Sequence, residues 1–155
     1  MKNNKGFSLV ELIIVIAIMA ILVGVMAPQL IKYIEKTNVS SDTQLCDSVK
    51  TAITTAMMDP SVIADSKAQI PTNSTMKAVK GNLGSGSFKD AVDEILGFDA
   101  DDIDAHLKST YKGKKATGVE FMIVGSNAVH VQVKDSDATG KKGNGKGTAQ
   151  IIYVD

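Results

Sequence analysis

The sequence has 155 residues, with 17 lysines, no arginine and 17 acids, so its formal net charge is zero. The length fits one domain, and no basic patch or stripe marks a nucleic-acid surface. A single cysteine, Cys46, excludes an intrachain disulfide and leaves the fold to its own core.

The first 28 residues organise the rest. Residues 1–6 carry Lys2 and Lys5 and end in Gly6; Phe7-Ser-Leu-Val-Glu11 follows, then uncharged, mostly apolar residues from Leu12 to Ala27, closed by Pro28. Phe7 to Ala27 is 21 residues, about what a helix needs to cross a hydrocarbon core of roughly 30 Å. Glu11 does not belong in such a run. A carboxylate at the centre of a membrane helix costs on the order of 2.5–3.5 kcal/mol, less near the edge, and calls for a partner. An ordinary secretory signal cut after Val25-Met26-Ala27 would place Pro28 first in the mature chain and leave Glu11 inside the signal core. A plain signal anchor for an extracytoplasmic enzyme or binding protein explains the apolar run but leaves Gly6, Phe7 and Glu11 unexplained.

Glycine, aromatic residue, acid, apolar run and proline in this register resemble the class III leader and processing site of type IV pilins and the related pseudopilins. Without a possible disulfide, the chain is similar to major pilins of the clostridial type. The resemblance implies a cut between Gly6 and Phe7 by a membrane prepilin peptidase, with methylation of the new Phe7 amine. That amine would lie one helical turn before Glu11, so the two charges can neutralise each other within a chain or between neighbours. The family uses the second arrangement to add subunits to a homopolymeric fibre. It also relies on an assembly platform and cytoplasmic motor ATPases, and serves adhesion, twitching motility or biofilm formation. The runner-up within the family is a pseudopilin of a type II secretion or DNA-uptake system.

The two leader lysines place the N-terminus in the cytoplasm and the bulk of the chain outside. The expected life history is a single-pass membrane protein that becomes part of an extracellular fibre. After loss of the leader, fifteen lysines face seventeen acids, a side-chain charge of −2.

Residues 28–58 continue the helix with a stripe at Leu30, Ile31, Ile34, Leu45, Val49, Ala52, Ile53, Ala56 and Met57. Lys32, Glu35, Lys36, Asp42, Asp47 and Lys50 are assigned to the other faces. Gly24 and Pro28 mark the place where a kink is cheapest, and Asp59-Pro60 is the expected stop. A connecting region spans 59–115. Ser87 is read as the N-cap of a short helix, Phe88–Leu96, with Phe88, Val92, Ile95 and Leu96 on one face and Gly97 as its stop. A second short helix is expected from Asp99 or Ala100 to about Tyr111, with Asp99, Asp101, Asp102 and Asp104 favouring its first turn.

From residue 116 the period changes to two. Val119, Phe121 and Ile123 alternate, then Val129, Val131 and Val133, with turn residues Ser126-Asn127 between them and a last run at 148–154. The predicted fold is α+β: a long N-terminal helix packed on a three- or four-stranded antiparallel sheet.

Other motifs are partial. Gly140–Gly147 nearly matches a phosphate loop but lacks its final hydroxyl and a following helix. Asp135, Asp137 and Thr139 resemble the opening of a calcium loop, but Lys146 stands where a bidentate glutamate belongs. His106 and His130 form no nucleophile arrangement, and Cys46 is read as a partly buried structural thiol. No catalytic residue and no cofactor are predicted.

Overall fold

A computed structural model describes residues 7–68, 70–72, 75–111, 114–124, 128–135 and 150–154. The chain divides into two compact units, Met1–Lys36 and Thr37–Asp155. Helix α1, Leu9–Met58, runs through 50 residues. In the first unit every described residue of it is exposed, including Ile13, Ile16, Leu22 and Met26. The helix satisfies its own backbone hydrogen bonds, as any segment placed in lipid must.

The second unit has a core. Along α1, Asp42, Cys46, Val49, Ala52, Ile53 and Ala56 are buried, close to the i, i+4, i+7, i+11 spacing of one helical face. This corrects the stripe: Leu45 and Met57 only flank the core, Cys46 is fully buried, and Asp42 lies inside. The carboxylate of Asp42 accepts the backbone N–H of Lys108 at 2.9 and 3.2 Å and that of Ser109 at 2.8 Å. Charge-assisted hydrogen bonds of this kind let an acid occupy a face that patterning reserves for apolar residues.

α1 ends at Met58, and Asp59-Pro60 opens a new element rather than a loop. Asp59 caps α2, Pro60–Ala64, by accepting the Ser61 N–H. Strand β1, Lys77–Ala78, lies inside the stretch read as connecting region. Helix α3, Ser87–Leu96, begins one residue before the expected start. Its N-cap is Gly86 at φ 97, with no side-chain cap bond. The Ser87 hydroxyl instead donates to Asp65 at 2.7 Å. Phe88 and Val92 are buried and Leu96 is half-buried, but Ile95 is 44% exposed, so the predicted face loses one member. Gly97 at φ 77 closes the helix, a left-handed position that suits glycine.

The second predicted helix is a 3-10 segment, Ala100–His106, and it stops early. Leu107 turns to extended backbone, and the next two N–H groups go to Asp42. A helix continued to Tyr111 would spend them on its own carbonyls. Residues 110–111 form strand β2.

Strands β3 (Lys114–Val124), β4 (Ala128–Asp135) and β5 (Gln150–Val154) make an antiparallel meander, extended by β1 on the far side of β3, while β2 pairs with the start of β3. Val119, Phe121 and Ile123 face Val133, Val131 and Val129 across the β3–β4 ladder, and all six are buried. The other face carries Glu120, which accepts from Gln132 at 2.7 Å and pairs with Lys134 at 3.2 Å. The fold is α+β, with the sheet and the second half of α1 sharing one core. Ser126-Asn127 lies outside the described residues.

Candidate assembly and processing site

Gly6 lies outside the described residues. Phe7 is 90% exposed at the head of the first unit. Ser8 then starts the helix: its carbonyl accepts the Leu12 N–H at 3.3 Å and its hydroxyl accepts the Val10 N–H at 3.3 Å. Glu11 returns the contact, its carboxylate accepting the Ser8 N–H at 3.0 Å. The two side chains cap the helix start between them and satisfy two otherwise orphaned donors, the N–H groups of Val10 and Ser8. Ser8-Leu-Val-Glu11 carries the S-x-x-E signature, so Ser8 was legible in the sequence but overshadowed by its neighbours. The arrangement holds Glu11 at the positive end of the helix, with its oxygens directed toward the chain start.

Farther along, Pro28 sits inside α1. Proline has no N–H to give to the carbonyl four residues back, and its ring presses on that carbonyl. Here the residue four back is Gly24. A Cβ added at Gly24 would meet nothing within 4 Å, so space alone does not demand the glycine. Its proximity to the lost hydrogen bond is the physical link between the two.

The remaining candidates scatter. Cys46 is buried, and its thiol is pushed up to about 12 by burial first and then by Asp42 and Asp47; it is neither a nucleophile nor a ligand in this state. His106 stacks on Phe98 with ring centroids 4.3 Å apart. His130 sits half-buried on β4 opposite Met122. The aspartates at 99–104 are tertiary acceptors as well as a helix start. Asp99 caps Asp101 and binds Lys89, Asp101 accepts from Gly81 at 2.7 Å, and Asp104 accepts from Val119 at 3.3 Å. Asp135 ends β4 opposite Ala116. Asp137, Thr139 and the phosphate-loop look-alike lie outside the described residues. Among the described residues no group of three or more metal-ligating side chains occurs.

A family profile described as the prokaryotic N-terminal methylation motif matches residues 1–27. The chain is 29% identical to a fimbrial protein of Moraxella nonliquefaciens over 141 residues, 91% of this chain and 84% of that protein. It is 33% identical to a fimbrial protein of Pseudomonas aeruginosa over 92 residues, 59% of this chain and 60% of that protein. It is also 41% identical to the type IV major fimbrial protein FimA of Dichelobacter nodosus over 56 residues, 36% of each chain. No solved structure matches.

A methylation motif, a helix whose first half is apolar on all sides and an α+β head fit a membrane-anchored filament subunit. The motif and the fimbrial relatives together support a type IV pilin, the structural subunit of a type IV pilus. The same findings support processing by prepilin peptidase and self-polymerisation, and they fit membrane anchoring before assembly and a fibre afterwards.

Proposed function

We propose that this pilin is the main subunit of its fibre and that residues 7–27 serve in turn as membrane anchor and fibre core. The leader is cut between Gly6 and Phe7, the Phe7 amine is methylated, and Glu11 of one subunit pairs with the Phe7 amine of the next. One observation carries the reading. Residues 7–37 are exposed on every face and include a span long and apolar enough to cross a membrane, so the single chain leaves this surface to lipid or to like helices. The charged Ser8–Glu11 start of that span supplies a fixed position from which neighbours can be measured.

Moving from lipid to a bundle of helices exchanges one apolar environment for another and has no net hydrophobic driving force. Direction therefore comes from outside the chain, which assigns work to an assembly platform and motor ATPases. The N-terminus stays cytoplasmic and the head extracytoplasmic, as Lys2 and Lys5 direct. Gly24 and Pro28 form the joint where the helix loses a hydrogen bond at least cost. Mass spectrometry of fibre protein tests the processing step: the N-terminus should be Phe7 bearing one methyl group, and a bulky residue at Gly6 should leave a full-length membrane precursor. An N-terminus at Pro28 sinks this reading. Electron microscopy tests the rest, because long fibres made mainly of this chain mark a major pilin, whereas short or absent fibres mark a pseudopilin.

A further inference from the structure

Beyond Pro28 the first unit changes character. At about 100° per residue, Gln29, Lys32, Tyr33 and Lys36 fall on one face of α1, while Leu30, Ile31 and Ile34 gather on another. Tyr33 is 66% exposed, and the Lys36 ammonium lies 6.0 Å from the centroid of its ring. The charge at Lys36 is thus drawn back along the helix toward the apolar span. Leu30, Ile31 and Ile34 are 60, 60 and 51% exposed. An outer membrane boundary at Pro28 would leave all three in water. Aromatic rings with a polar tip, beside lysines on long apolar stems, are the side chains that settle at the headgroup level.

Distance gives a second argument. From Glu11 to Tyr33 is 22 residues, roughly 33 Å at ~1.5 Å per residue. The hydrocarbon core is about 30 Å thick. With Tyr33 at the outer boundary, Glu11 reaches the inner one, where its carboxylate can be hydrated. With Pro28 at the outer boundary, the 17 residues back to Glu11 span only about 26 Å, and the carboxylate stays inside the hydrocarbon.

We propose that the Gln29–Lys32–Tyr33–Lys36 stripe binds the phosphates of phospholipid headgroups in the outer leaflet and so sets the depth of the unassembled helix. The proposal rests on the membrane reading above and moves the outer end of its anchor from residue 27 to Tyr33. Lys32 and Lys36 supply the charge complementarity, and the apolar span continuous with the stripe supplies the approach. Glu35, the acid of this segment, lies off the stripe and leaves its phosphate-facing side basic.

The test uses the full chain in vesicles of phosphatidylethanolamine and phosphatidylglycerol. The sequence contains no tryptophan, so Leu22→Trp gives a single reporter whose depth is read by quenching with lipids brominated at different positions. Adding Lys32→Glu and Lys36→Glu should move the reporter toward the outer headgroups by about one helical turn, roughly 5 Å. Lys32→Arg with Lys36→Arg should leave it in place. A reporter quenched at the same depth in all three proteins overturns the headgroup site while the membrane reading stands. A reporter that no brominated lipid quenches, even with both lysines intact, overturns both.

Discussion

The two halves of α1 are built from one secondary structure and obey opposite rules. Residues 9–36 are exposed all round, and from Leu12 to Ala27 they carry apolar side chains on every face. Within residues 37–58 only one stripe is buried, with Gln44, Asp47, Ser48 and Thr51 exposed. The first half is written for a partner absent from the single chain, so its residues are chosen by environment and not by contact. In the second half each buried position has a neighbour to fit. Substitutions in the first half should therefore change assembly and leave head stability alone, and those in the second should do the reverse.

The largest effect expected from breaking this division is at Glu11. Glu11→Ala should leave synthesis, cleavage and membrane accumulation normal but give few or no fibres. A neighbour's desolvated amine would lose its counter-charge, at roughly 3–5 kcal/mol for a buried pair. Glu11→Asp should be intermediate. Fibre yield and membrane-held pilin measured on the same cells check this, and wild-type fibre levels from Glu11→Ala would end the assembly role.

Next in size is Phe121→Ala, which empties a fully buried site and should cost about 3–5 kcal/mol. Urea unfolding of residues 35–155, which should be soluble and monomeric, is the measurement. Ile18→Ala, made in the full chain, should change the melting of the head by nothing detectable.

Asp42→Ala should destabilise the same head by about 2–4 kcal/mol, because the N–H groups of Lys108 and Ser109 lose a charged acceptor. Asp42→Asn should recover part of that loss, since one oxygen remains to accept. A neutral Asp42→Ala would mean that the connector is held by its apolar neighbours, Ile103 and Leu107, alone.

The smallest effect is the pH profile of head stability. Asp59, Asp65 and Asp99 are held below the ordinary 3.8, first by the Ser61 hydroxyl, the Lys67 N–H and the Lys89 ammonium respectively. Their contribution is present above the unfolded value and lost as pH falls through the lower folded one. Cys46, at about 12 against an ordinary 9.0, contributes fully below pH 9 and loses that contribution as pH rises toward 12. Lys89, raised first by its hydrogen bond to Asp93 and then by Asp99, acts in the same direction. Chemical denaturation should therefore show a plateau between pH ~5 and ~9 with a fall on each side. A Cys46 thiol that reacts with a soluble disulfide reagent at pH 8 without unfolding would contradict its burial.

The sequence by itself determined whatever depends on local pattern. The apolar run, the stop at Met58, the left-handed Gly97 and the period-two strands Val119–Ile123 and Val129–Val133 follow from residue order, because helices and strands repeat at fixed periods and glycine and proline break them locally. The cap made by Ser8 and Glu11 was equally local. Tertiary structure decided the polar positions. Asp42 reads as a surface residue until Lys108 and Ser109, distant in sequence, bring it two N–H donors. That same contact shortens the second predicted helix to a 3-10 segment and frees residues 110–111 to join the sheet. Ser87 gives up its expected capping role because Asp65 lies within reach of its hydroxyl. A polar side chain can be satisfied by water, by its own backbone or by a distant segment, and these choices differ by only about 1 kcal/mol. Periodicity cannot rank them; only the approach of the remote partner does.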